Sequence, residues 1–177
     1  AEGDIAEELI WMIRAELYLE HGADSQAELE LKRLRGRSDS LPTVLKLRAE
    51  LAFRQKDWSI LVALLPDLKK FRAASTVQIA EWESIGWACL MADDAIALDE
   101  RLSLWNKAPD SLKRQESTAV VNLFKALRLG SSWAALEELV FERLQRHYEL
   151  AAFEAIAHLP EGYGSKLVEV VKKWRPK

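Results

Sequence analysis

Arg14-Ala15-Glu16-Leu17 returns 34 residues later as Arg48-Ala49-Glu50-Leu51, and this doublet decides how the chain is read. The agreement runs on beyond it: Ala27, Leu31 and Leu34 stand 34 residues before Leu61, Leu65 and Leu68. Within each copy the apolar positions fall three or four apart, the spacing of one helix face and not the alternation of a strand. A period of about 34 residues fits one helix–turn–helix unit, which cannot bury its apolar face alone and therefore stacks on its neighbours. The expected fold class is all-α, built from antiparallel helix pairs.

Working outward from the doublet, the first pair spans 4–21 and 25–35. Asp4 and Glu7 have the spacing of a capping box, Gly22 can take a positive φ between the helices, and Asp24 can cap the second. The next pair spans 42–55 and 58–71. Pro42 suits a first helical turn, Asp57 suits a cap, and Pro66 is expected to kink or split the helix around it. A third pair covers 75–92 and 95–107, opened by Ser75 and Gln78, and a fourth covers 112–129 and 132–147, divided by Gly130-Ser131-Ser132. Shorter helices are expected at 148–158 and 165–175. The approximate repeats are 4–40, 41–74, 75–109 and 110–147, with a partial one over 148–177, in a single array. Ala15, Ala49 and Gly86 take the same small position, where neighbouring helices touch.

Composition agrees with this reading. Of 177 residues, 49% are hydrophobic and 30% charged, so there is apolar surface enough for a core. The net charge of −3 lacks the basic footprint of a nucleic-acid binder, and no nucleic-acid partner is expected. No apolar run reaches the roughly 18 residues of a membrane span.

The chemistry-bearing residue types form no catalytic pattern. His21, His147 and His158 are dispersed, and the single cysteine, Cys89, sits in apolar sequence and reads as a small packing residue. Phosphate-binding glycine loops and nucleophile elbows do not occur. Glu7-Glu8, Asp93-Asp94 and Glu137-Glu138 are adjacent in sequence, so on a helix each pair diverges and reads as solvated faces or caps. An enzyme is not expected, nor a cofactor or a metal site. Of the seven tryptophans, Trp11, Trp58, Trp82 and Trp133 read as hairpin anchors.

Trp82-x-x-Ile85-Gly86-x-x-Cys89 resembles the first-helix signature of tetratricopeptide repeats. That resemblance implies a right-handed superhelix whose concave surface is lined by the first helix of each pair. Taking Trp11, Leu45, Trp82 and Ala119 as equivalent, Glu16, Glu50, Trp87 and Phe124 share one groove position, and Met12, Lys46, Glu83 and Val120 share another. Such a groove would be acidic toward its N-terminal end and aromatic toward its C-terminal end.

Leu41-Pro42-Thr43-Val44-Leu45, Leu64-Leu65-Pro66-Asp67-Leu68-Lys69-Lys70 and Val171-Lys172-Lys173-Trp174-Arg175-Pro176 resemble, more narrowly, the repeat region of HemY-type proteins of proteobacterial protohaem IX and porphyrin biogenesis. The resemblance implies a non-catalytic protein-interaction scaffold with haem-biosynthesis enzymes as partners. It also implies anchoring in the inner membrane through N-terminal helices that this chain lacks, a cytoplasmic-side location for these repeats, and further repeats beyond residue 177. The alternative it implies is a tetrapyrrole-binding or carrier domain that uses an aromatic groove.

Overall fold

The computed structural model describes residues 2–34, 36 and 38–175, and among these residues there is no strand. The helices are α1 (Glu2–Glu20), α2 (Asp24–Arg33), α3 (Pro42–Gln55), α4 (Trp58–Lys70), α5 (Thr76–Ala92), α6 (Leu98–Asn106), α7 (Asp110–Lys113), α8 (Thr118–Leu129), α9 (Trp133–Arg146), α10 (Leu150–Ile156) and α11 (Val168–Lys172). A 3₁₀ turn, Ser165–Leu167, leads into α11. The chain divides into two compact units, Ala1–Trp87 and Ala88–Lys177, each with its own core.

The same backbone device closes α1, α3, α4 and α8. Ala23 N–H reaches Tyr18 C=O at 2.8 Å and Gly22 N–H reaches Leu19 C=O at 3.1 Å. This pair of bonds recurs as Asp57 to Ala52 with Lys56 to Phe53, as Ala73 to Leu68 with Arg72 to Lys69, and as Ser132 to Leu127 with Ser131 to Arg128. It is a Schellman ending, which satisfies carbonyls the helix leaves open and requires one left-handed residue. Gly22 fills that role at φ 73°, but Lys56, Arg72 and Ser131 fill it at φ 58°, 51° and 53°. A side chain there costs about 1 kcal/mol or more. Lys56→Gly is therefore expected to raise stability by about 0.5–1 kcal/mol, read as a higher denaturation midpoint, while Gly22→Lys lowers it.

In the first unit α1 packs on α2 and α3, α2 on α3, and α3 on α4. Ala15, Leu19, Ala27, Leu31, Leu34, Val44, Leu47 and Leu51 form one buried cluster, with Trp11, Met12 and Tyr18 packed against it. Leu61, Leu65 and Leu68 bury the inner face of α4. The small positions serve as expected: Ala15 and Ala49 are fully buried, and a Cβ on Gly86 would lie 3.2 Å from Leu61 Cδ2. Polar ties accompany the packing. Arg48 donates to Leu31 C=O at 3.4 Å and pairs with Asp39 at 2.6 Å. Glu28 takes Lys32 at 2.6 Å and Gln55 at 3.2 Å. The hydrogen bond from Lys32, and then that from Gln55, hold the Glu28 carboxyl below the ordinary carboxylate range. The stability this adds is present above the unfolded-state pKa and is lost as pH falls through the depressed value.

In the second unit α8 and α9 pack together, α10 covers both, α6 contacts α8, and α11 contacts α9. Leu123, Leu127, Leu136, Val140, Leu144 and Ala152 are fully buried. Arg101 ties α6 to the end of α5 by donating to Met91 C=O at 3.1 Å. Gly130 stops α8 without a positive φ. Its role is close approach, since a Cβ there would lie 2.9 Å from Leu98 Cδ2.

Several expectations need correction. The helix is not broken at Pro66, which lies inside a continuous Trp58–Lys70; Leu65 and Leu68 on either side are anchored in the core. α1 begins at Glu2 and not at residue 4, and the expected capping side chain of Asp4 lies outside the described residues. Asp24 is the first residue of α2 and pairs with Arg54 at 3.2 Å without capping the helix. α6 begins at Leu98 and not at 95, because Asp93 Oδ1 accepts Ala95 N–H at 2.9 Å and prolongs the turn. The single helix expected over 112–129 is two, and Ser117 caps the second through Val120 N–H. The expected end of the second helix at Arg35 lies outside the described residues. By contrast, Asp57 caps α4 through Ile60 N–H at 3.2 Å, and Ser75 Oγ accepts Gln78 N–H at 3.2 Å, as the sequence indicates.

Candidate functional site: an acidic groove across three helices

A concavity of about 510 Å³ opens across α1, α3 and α5 in the first unit. α1 contributes Glu16, Leu19 and Glu20; α3 contributes Lys46, Glu50, Phe53 and Arg54; α5 contributes Gln78, Glu81 and Trp82. The repeat explains why these side chains meet. Glu16 and Glu50 are equivalent positions, placed alike because Ala15 and Ala49 beside them are both sealed in the core.

The charge of the groove is set by what is already paired. Lys46 lies 3.7 Å from Glu50. Arg54 is held by Leu19 C=O and by Asp24. Among the described residues Glu16, Glu20 and Glu81 have no ion pair or hydrogen bond, and all three are exposed. The groove therefore presents three unpaired carboxylates over an aromatic floor of half-buried Phe53 and buried Trp82.

Of the eight residues expected to line a groove, the structure brings together Glu16, Lys46 and Glu50. Met12 packs against the core cluster instead. Glu83 is 9% exposed and pairs with Lys69 of α4. Trp87 is 4% exposed, Val120 fully buried and Phe124 5% exposed, so these three offer no open surface. Phe124 borders a small cavity of about 90 Å³ with Leu136 of α9 and Ala151 of α10. The aromatic character of the observed groove comes from Phe53 and Trp82, which the sequence reading gave to packing or left unassigned.

Sequence reasoning also missed the most elaborate polar cluster. Arg143, 3% exposed, grips fully buried Glu149 through Nε at 2.7 Å and Nη2 at 2.9 Å. It donates further to Lys113 C=O at 2.6 Å and Gln115 C=O at 2.8 Å, and its Nη2 lies 3.2 Å from His147 Nε2. All three guanidinium nitrogens are engaged, so the cluster is a brace between the α7–α8 link, α9 and the start of α10. Nor is Glu137 a solvated side chain: it is 9% exposed and accepts Gly164 N–H at 2.7 Å. Cys89 is half-buried.

Among the described residues no group of three or more His, Cys, Asp or Glu is placed to hold a metal ion, and no helix is long and apolar enough to cross a membrane. Comparison of the chain with protein-family models, with curated proteins and with solved structures returned no match.

Proposed function

We propose that the chain is a non-catalytic protein-interaction scaffold, a tetratricopeptide-like superhelix that captures a basic partner segment in the α1–α3–α5 groove. The observation that carries this reading is the triad of unpaired carboxylates, Glu16, Glu20 and Glu81, above Phe53 and Trp82. Aromatic floors supply binding energy, and unpaired rim charges steer a partner of opposite sign and set its register. The superhelical arrangement is supported by the recurring Schellman endings and by α1 packing on α3 as well as on α2. Assignment to the HemY-type family, with haem-biosynthesis enzymes as partners and an inner-membrane anchor outside this chain, rests on the three stretches quoted above. The tetrapyrrole alternative would find aromatic walls in the groove. Its lining includes no His, Cys, Met or Tyr to ligate iron, so a protein segment is the reading adopted.

The test is crosslinking in cells with the full-length protein, wild type against Glu16→Gln, Glu20→Gln, Glu81→Gln. At about 0.3–1 kcal/mol for each rim charge, the triple variant should recover its partners roughly tenfold less well. The residual capture should depend less on salt than that of the wild type. The same partners at the same yield and salt dependence would remove the groove from the account.

A further inference from the structure

α1 exposes apolar side chains where the equivalent helix buries them. Ile10, Ile13 and Leu17 are 46%, 48% and 48% exposed. Their counterparts 34 residues on, Val44, Leu47 and Leu51, are 0%, 3% and 6% exposed. The difference has a visible cause, because the α3 residues share one cluster with Ala15 and Leu19 of α1 and with Ala27, Leu31 and Leu34 of the α2 segment. Their face is covered by the hairpin before them. Ile5 and Leu9 carry the exposed face of α1 toward its N-terminus, at 69% and 53% exposure.

A polar residue repeats the pattern independently. Arg48 spends its guanidinium on the preceding hairpin and its linker, at Leu31 C=O and Asp39. Arg14, its equivalent, is exposed and has no hydrogen bond or ion pair among the described residues. Three apolar residues and one arginine thus lack, in α1, the contacts that the same positions make in α3.

We infer that this face of α1 is an interface for one more helical hairpin of the same 34-residue type, seated on its N-terminal side as α1 and α2 seat on α3. The occupant's chemistry follows from what covers α3. It presents leucines like Leu31 and Leu34, an open carbonyl in the last turn of its second helix, and a carboxylate in the link that follows, to receive Arg14. The inference rests on the repeat equivalence and is independent of what the groove holds.

The test inserts a second copy of residues 8–41 between Leu41 and Pro42 of the full chain, so that the inner copy of α1 has a hairpin before it and the outer copy does not. The duplicated chain should gain helical signal in proportion to the added residues and unfold at a higher denaturant midpoint. Ile13→Asp should leave the midpoint unchanged in the outer copy, but lower it in the inner copy as Leu47→Asp does. An inner Ile13→Asp as harmless as the outer one would overturn the inference, as would an added block that stays unfolded. Sedimentation of the natural chain supplies the other decisive outcome. A dimer that Ile13→Asp returns to monomer would give this face to a second copy, whereas a monomer in both agrees with the inference. Neither result depends on the Glu16, Glu20 and Glu81 variant, so the groove and the α1 face stand or fall separately.

Discussion

Arg143→Ala is expected to destabilise the protein by about 3–5 kcal/mol, because it leaves a carboxylate with no exposure and only the His147 ring, 3.6 Å away, in place of its guanidinium partner. Loss of the guanidinium also removes the donors to Lys113 and Gln115 C=O, so one substitution loosens three segments at once. The attraction between Arg143 and Glu149 is not in itself the source of this effect. A buried pair roughly balances its own desolvation, and the large cost belongs to the orphaned partner. Hence Arg143→Met combined with Glu149→Leu should be distinctly more stable than Arg143→Ala alone, although it removes more polar contacts. Denaturant midpoints of the three proteins decide the matter. A single substitution costing under about 1 kcal/mol would mean that water or the neighbouring His147 ring takes over Glu149, and that the brace does not depend on Arg143.

Leu61→Ala should cost about 2–5 kcal/mol, the range for a large apolar side chain deleted from a closed core. Leu61 is fully buried, and it faces the one glycine of α5. That adjacency gives a sharper expectation than the loss alone. In the wild type, a Cβ on residue 86 would crowd Leu61 Cδ2 at 3.2 Å and Val62 Cγ2 at 3.3 Å, offsetting what alanine gains over glycine within a helix. With Leu61 shortened, the first of these contacts disappears, and Gly86→Ala should recover about 1 kcal/mol. The two substitutions should therefore be non-additive by at least about 0.5 kcal/mol. Additive behaviour would show that α4 and α5 do not meet at this pair.

What the sequence made legible depended on how local the cause was. Asp57, Ser75 and Gly22 act on backbone groups within a few residues, and each does what its position indicates. Ser117 has the same kind of signal, but apolar spacing on both sides of it suggested one continuous helix. The split expected at Pro66 does not occur, since a missing N–H and a ring clash are local costs, whereas the buried leucines on either side of it are held in the core. At Glu16, Lys46 and Glu50 of α1 and α3, where the 34-residue register is undisturbed, the sequence pointed to residues that do line the concavity, while Met12 packs inward. Such guidance failed in α5, where Ile79, Trp82, Trp87, Leu90 and Met91 are buried around much of the circumference, so no face could be singled out as open. It failed again in α8, where Val120 and Phe124 are buried in a helix covered by α9 and α10. Arg143 left a trace, a cation on the Leu136–Val140–Leu144 stripe. Its acceptors lie at helix ends and in the links between them, whose positions no periodicity gives.

The Schellman endings bear on how the chain assembles in time. Each joins groups only three or five residues apart, so each can form while most of the polypeptide is still disordered, and closing so small a loop is fast and entropically cheap. The bonds that reverse the chain between α1 and α2 need nothing made later than Ala23. A ribosome releasing this chain from its N-terminus would thus emit turns already able to set, and α3 would emerge with a hairpin available to receive it. Topologies dominated by such short-range closures belong to the rapid end of the folding-rate spectrum. By the same logic the brace around Arg143 belongs to a late step, since its acceptors at Lys113 and Gln115 wait for a guanidinium synthesised about thirty residues afterwards.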